Sequence, residues 1–312
     1  MTISVLRTAD AWWVHTATGA AKIATDATTT GALLADRAAI EAAAADTATV
    51  PVDSLELVSP VTAPCRVVAQ MTNFASHVKD AGMAPASIPL TFFRKSSASI
   101  TGPSDVIVKP SHVQFLDYEV EIGLVIGTDI PVGSTITEAN LADYVAGLVV
   151  TNDVSARDIQ LPQTQFYEAK SYPTFTPVGP DLVLLTAAEL KRFGELRLQL
   201  RVNGQLRQDM SVAGDMIYPP LQALQSLTRF QDLSAGDLIL TGTPVGTALS
   251  APPKAVAFIG SLLPPALKWK AFFKSQARNP KYLHDGDVVE TTIATDDGAI
   301  DLGAQRNVVK YV

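Results

Sequence analysis

The sequence predicts a mostly β chain with added helices, an α+β fold arranged as a mixed β sandwich or roll behind a small N-terminal α/β domain. Three observations carry this expectation. Short runs with period-2 or continuous apolar character recur along the 312 residues, as strands require. Turn signals separate them, notably Asn203-Gly204, Gly236-Asp237 and Gly286-Asp287. Helical patterns are too few to alternate with the strands as a βαβ series would demand.

In chain order, a strand pattern around residues 12–15 precedes an Ala-rich helical segment at 31–45. Pro51, Pro60 and Pro64 punctuate the exit, placing a boundary near residue 62. Residues 1–62 are thus expected as a small cap or oligomerisation domain and residues 63–312 as the main domain. In the latter, strands are expected at 66–71, 105–108, 117–126, 144–152, 182–185, 196–202, 237–240 and 287–293, and helices around 76–82, 138–143 and 219–229. The segment 247–283 stands apart, with two Pro-Pro pairs around an apolar run at 255–259 and a basic, aromatic stretch behind them. Trp269, Phe272 and Phe273 fall at i, i+3 and i+4, which gives a helix over 265–277 one aromatic face. That helix either packs on the body or a dimer partner, or forms a lid over an apolar substrate.

Composition narrows the function classes. A hydrophobic content of 47% indicates a globular chain, and a formal net charge of -7 without any basic run excludes a polyanion-binding field. Cys65 is the single cysteine, so no intrachain disulfide forms, and its reading is a small buried apolar residue. The first residues lack the basic and apolar regions of a secretory signal. The longest apolar stretch, 255–267, is interrupted by Pro264-Pro265 and falls short of the ~20 residues of a membrane span. A soluble cytoplasmic protein is expected.

The chemistry concentrates in carboxylates. If residues 117–126 form one strand, Tyr118, Val120, Ile122, Leu124 and Ile126 fill one face while Asp117, Glu119 and Glu121 line the other. Such crowding is unfavourable unless the carboxylates reach solvent, take up protons or bind a cation. A solvated outer face and a metal site are both consistent with the alternation. Asp153 follows the strand pattern 144–152 and can join Glu119 and Glu121 from a neighbouring strand. An all-oxygen set suits Mg2+, Mn2+ or Ca2+ better than Zn2+. A chelating 2-oxo acid or 1,3-dicarbonyl compound fits such a centre.

These motifs resemble the fumarylacetoacetate hydrolase superfamily from about residue 63 onward. In family order the chain contains Asn73-Phe74-Ala75-Ser76-His77, Asp117-Tyr118-Glu119-Val120-Glu121, Asn152-Asp153-Val154-Ser155-Ala156-Arg157-Asp158-Ile159-Gln160, Lys170-Ser171, Val202-Asn203-Gly204, Gly236-Asp237 through Thr243-Pro244, and Gly286-Asp287. The resemblance implies a β-sandwich roll, a homodimer, and Mg2+ or Mn2+ on Glu119, Glu121 and Asp153. It also implies His77 as the catalytic histidine with Asp80 as its dyad partner, Lys170 against substrate or metal-bound oxygens, and Gln160 and Thr243 as substrate contacts. Arg94 or Lys95 could hold a substrate carboxylate, with a surface ion pair as the alternative. His15, His112 and His284 lie outside these motifs and are expected to face solvent.

The chain departs from the family pattern at three places. Phe74 stands where Tyr is usual, Asp80 where the longer Glu is usual, and the segment 247–283 interrupts what is normally a short passage to the last Gly-Asp turn. The activity expected first is metal-dependent hydrolysis of a carbon–carbon bond in an acylpyruvate or other 1,3-dicarbonyl compound, such as a ring-cleavage product, with water activated by His77. Decarboxylation of an oxaloacetate-type 2-oxo acid, hydration or isomerisation of a 2-oxo-alkenoate, and a metal-stabilised binding protein are the alternatives.

Overall fold

Val120–Ile126 is the strand around which the chain is organised. In the computed structural model, which describes residues 2–251 and 262–312, all of its residues are buried. It pairs antiparallel with Val145–Asn152 on one side and with Leu238–Leu240 on the other. Gly123 permits this close seating, because a Cβ there would lie 2.6 Å from Val149 and 2.9 Å from Leu238. The strand expected over 117–126 is broken: Leu116–Asp117 pairs separately with Ser155–Ala156. Tyr118 N–H bonds the Asp117 carboxylate at 2.8 Å at the break, where the chain passes from one pairing to the other.

The large sheet has ten strands in the order Thr49–Val50, Gly19–Lys22, Trp12–Thr16, Ile3–Arg7, Leu182–Leu184, Val145–Asn152, Val120–Ile126, Leu238–Leu240, Val67–Gln70 and Phe92–Lys95. All its pairings are antiparallel except that of Leu238–Leu240 with Val67–Gln70. The strands of the first 62 residues extend this sheet through Ile3–Arg7, which pairs with Leu182–Leu184. His15 adds a 3.0 Å contact to Asp181 at the same junction. A second sheet of five strands runs in the order Gln205–Ser211, Leu196–Val202, Val288–Thr295, Asp301–Tyr311 and Ile107–Lys109.

Alternation divides the core. Ile122, Leu124 and Ile126 pack with Leu198, Leu200, Ile293 and Leu302 of the second sheet, as in a sandwich. Val125 points to the opposite face, where Val5, Val14, Leu33, Ile40 and Leu238 form another apolar cluster. The helices Thr30–Ala35 and Arg37–Ala44 cover that face, in place of the single helix expected at 31–45, with Asp36 as the break.

Pro265–Gln276 is helical, as the aromatic spacing predicts, and begins with Pro at a favourable first position. It packs on the body: the Phe273 ring stacks on Phe115 with centroids 5.2 Å apart. Tyr282 donates its hydroxyl to Gln276 Oε1 at 3.0 Å. The apolar run 255–259 lies outside the described residues. Among the described residues no helix is long and apolar enough to cross a membrane.

Candidate active site

Glu121 stands near the start of the central strand, Glu119 two residues earlier, and Asp153 directly after the paired strand Val145–Asn152. The register Val120 to Asn152 brings them together, and the Asp153 N–H donates to the Glu119 carbonyl at 2.8 Å. All three carboxylates are buried, with one oxygen of each within 4.8 Å of the others. The solvated-face reading of the Glu-x-Glu pattern therefore does not hold.

Burial, followed by the Asp153 and Glu119 charges, pushes the Glu121 carboxyl well above the usual carboxylate range. Its Oε2 accepts the Gly242 N–H at 2.7 Å. Gly242 has φ +83, and a Cβ there would approach Asn73 to 2.8 Å, so a side chain would disturb the backbone that supplies this donor. A hard divalent cation fits the set, because it would relieve the repulsion among the three buried carboxylates.

Three buried cations hold the remaining charge. Lys170 Nζ donates to Glu119 Oε2 at 2.7 Å and to Asp153 Oδ2 at 2.6 Å. Burial depresses its ammonium, but Asp153 and Glu119 outweigh burial and leave it raised. Lys95 Nζ donates to Asp153 Oδ1 and to the Phe175 carbonyl; here burial wins, and the Lys95 ammonium is held below its ordinary range. Arg157 spans Asp117, Glu119 and Gln160. Burial pushes the Glu119 carboxyl up, yet Lys170 and Arg157 more than cancel this and hold it down at about 2.

His77 lies on the helix Ala75–Asp80, whose start is fastened by Asp215: its carbonyl accepts from Ala75 N at 2.7 Å and its carboxylate from Ser76 N at 2.7 Å. Burial lowers the His77 imidazole below its ordinary range, chiefly by desolvation and despite the Glu119 charge. The ring is neutral at neutral pH. Its Nδ1 is buried without a hydrogen-bond partner among the described residues. His77 and Asp80 line one cavity, of about 460 Å³, but the hydrogen bond expected between them is not formed. Phe74, in place of a tyrosine, is fully buried in the apolar core.

The other sequence candidates divide. Gln160 is buried and accepts from Arg157 Nη1 at 2.8 Å, and Thr243 is buried and accepts from Gln208 Nε2 at 2.8 Å. Lys95, considered as a clamp for a substrate carboxylate, is bonded to Asp153, since a fully buried ammonium needs an anion beside it. Arg94 is exposed and by strand alternation faces away from Lys95, so it is not brought to the carboxylates. His15, His112 and His284 are exposed as expected. Sequence reasoning passed over Arg157 and the partnering role of Asp117. Arg157 lies inside a quoted motif, and an arginine four residues beyond a candidate ligand is the signal that could have found it. Cys65 is partly buried, and burial with the nearby Asp237 charge pushes its thiol up to about 12, which leaves it unreactive.

The model of the fumarylacetoacetate (FAA) hydrolase C-terminal family matches residues 66–310. The chain belongs to this family. Oxaloacetate tautomerase YisK of Bacillus subtilis is 32% identical over 243 residues, covering 77% of this chain and 70% of YisK. Oxaloacetate tautomerase Fahd2a of Rattus norvegicus, a mitochondrial protein, is 34% identical over 209 residues, covering 67% of this chain and 64% of its own length. A solved structure of a probable 2-hydroxyhepta-2,4-diene-1,7-dioate isomerase from Mycobacterium abscessus shares the FAA hydrolase fold at TM-score 0.74, with 30% identity over 100% of this chain and 99% of that one. The fumarylacetoacetate hydrolase of Exiguobacterium antarcticum matches at TM-score 0.70 and 28% identity, over 99% and 100% of the two chains. These four relatives are named as two tautomerases, a probable isomerase and a hydrolase, all enzyme names.

Proposed function

We propose that the protein interconverts the enol and keto forms of a chelated 2-oxo acid, oxaloacetate being the simplest example. The observation that carries this reading is His77: a buried, neutral imidazole with no carboxylate bonded to Nδ1, close enough to Glu119 to feel its charge. Keto–enol exchange asks for one group that accepts a proton from oxygen or carbon and returns it to the other, and a neutral imidazole does this at neutral pH. The names of the YisK and Fahd2a relatives support the same chemistry.

Glu119, Glu121 and Asp153 would hold Mg2+ or Mn2+, which supplies Lewis-acid polarisation of the 2-oxo group. Lys170 and Lys95 set the charge balance. Both ammonium groups lie on carboxylate oxygens and offset charge within the carboxylate cluster, while a bound divalent cation would offset the anionic acid and its enolate.

Carbon–carbon hydrolysis of an acylpyruvate is the second reading. It is favoured by Asp80 on the cavity wall beside His77, where a water could be placed between them. It ranks second because no bond from Asp80 raises the basicity of the imidazole.

The test follows enol absorbance and products together, for oxaloacetate and for a panel of acylpyruvates, with Mg2+, with Mn2+ and with chelator. Metal-dependent loss of enol with the carbon skeleton intact is the expected result. A carboxylic acid product would establish hydrolysis, and pyruvate with CO2 would establish decarboxylation; either would displace the tautomerase reading.

A further inference from the structure

We infer that the substrate carries an apolar tail beyond its dioxo head, and that Trp269 and Phe272 form the wall that selects it. The inference rests on the proposed function only for placing the head at the carboxylates. The cavity that starts at His77 and Asp80 is lined on its other sides by Leu161, Leu249, Trp269 and Phe272. Its volume of about 460 Å³ lies in the range that encloses drug-sized ligands, well beyond the needs of a four-carbon acid. Most of the wall beyond His77 and Asp80 is apolar, interrupted by Ser250, Lys268 and Ser275.

The helix Pro265–Gln276 is fastened to the body by residues that do not line this cavity. Phe273 stacks on Phe115, Gln276 accepts from the Tyr282 hydroxyl, and Asn279 just beyond donates to the Ala248 carbonyl at 2.8 Å. Trp269 and Phe272 are half-buried and held as rings rather than as core: their planes meet at 86° with centroids 5.8 Å apart, and Trp269 leans on Phe273 at 5.9 Å. Rigid aromatic surface facing a cavity recognises alkyl or aryl groups by area and shape. The class of ligand is therefore a 2-oxo or 2,4-dioxo acid with an alkyl or aryl tail.

Calorimetric titration of the Mn2+-loaded full chain with oxalate, pyruvate, 2-oxooctanoate and phenylpyruvate tests this. 2-Oxooctanoate should bind at least about ten-fold more tightly than pyruvate, since each buried methylene adds to affinity. Trp269→Ala and Phe272→Ala should each remove most of that gain while oxalate affinity holds, and Trp269→Phe should restore part of it; melting curves report whether each variant is folded. Equal affinity for pyruvate and 2-oxooctanoate in the natural chain, or equal losses for oxalate and 2-oxooctanoate in the variants, would overturn the inference. Absence of oxalate binding with a Trp269-dependent preference for long tails retained would count against the chelated head and for the tail wall.

Discussion

Arg157 Nε donates to Asp117 Oδ2 at 2.8 Å, in a pair sealed from water on both sides. Asp117 also accepts from the N–H groups of Tyr118 and Ala248 at 2.8 Å and from Leu249 at 3.0 Å. The same guanidinium reaches Glu119 and Gln160. This pair thus ties Glu119, the start of the helix Arg157–Gln163 and the entry to the segment carrying the aromatic helix into one unit.

Asp117→Asn should cost about 3–5 kcal/mol, the usual result of removing one charge of a buried pair. Urea unfolding measures it. A loss within the ±0.5 kcal/mol typical of surface substitutions would mean that the pair does not support the fold.

Glu121→Gln tests the cation site with little change of shape. Mn2+ affinity should fall by about two orders of magnitude, as loss of a charged ligand implies. Metal-free stability should hold or rise, because burial and like charges already penalise ionised Glu121. At a Mn2+ concentration of about 100 Kd the natural protein should gain about 2.7 kcal/mol, and the variant should gain far less. Undiminished Mn2+ binding in calorimetry would remove Glu121 from the ligand set.

His77→Ala should lower kcat by about 10²–10⁴, the range for loss of a positioned acid–base group, with little change in KM. Decarboxylation of oxaloacetate needs no proton relay of this kind and should persist in the variant. Retained enol–keto exchange above the uncatalysed rate would assign the proton transfer to another residue.

The contact between His15 and Asp181 gives stability a pH dependence. The Asp181 hydrogen bond raises the His15 imidazole, against the opposing effect of burial, and the Asp181 and Asp301 charges add to the rise. A folded value above the unfolded value of about 6.5 means that this contribution is complete below about pH 6.5 and is lost as pH rises through the folded value. The drop in melting temperature between about pH 5.5 and pH 8.5 should therefore be smaller in His15→Gln than in the natural chain. Equal drops would show that the hairpin contact contributes nothing.

Much of the fold is legible along the chain because its signals are local. The expected strand 196–202 appears as Leu196–Val202, and the aromatic helix appears as Pro265–Gln276, since alternation and i, i+3, i+4 spacing report which face meets the core. Asp301–Tyr311, the longest strand among the described residues, is hidden: its inward positions include Gln305 and Asn307, both buried. Their amides bond the Val150 carbonyl at 2.9 Å and the Asp105 carbonyl at 2.8 Å, so polar residues sit where the pattern demands apolar ones.

The site divides the same way. The sequence by itself singled out Glu119, Glu121, Asp153, His77 and Lys170, because these stand in short motifs whose residue types suggest their chemistry, and it determined that the three carboxylates lie on or beside neighbouring strands. Only the tertiary structure decided that Lys95 bonds Asp153, that Arg157 bonds Asp117, that Asp80 does not bond His77, and that Trp269 and Phe272 share a cavity with His77. Those relationships depend on how a buried charge finds its counter-charge across strands, and on where a distant helix docks; local pattern does not encode such distances.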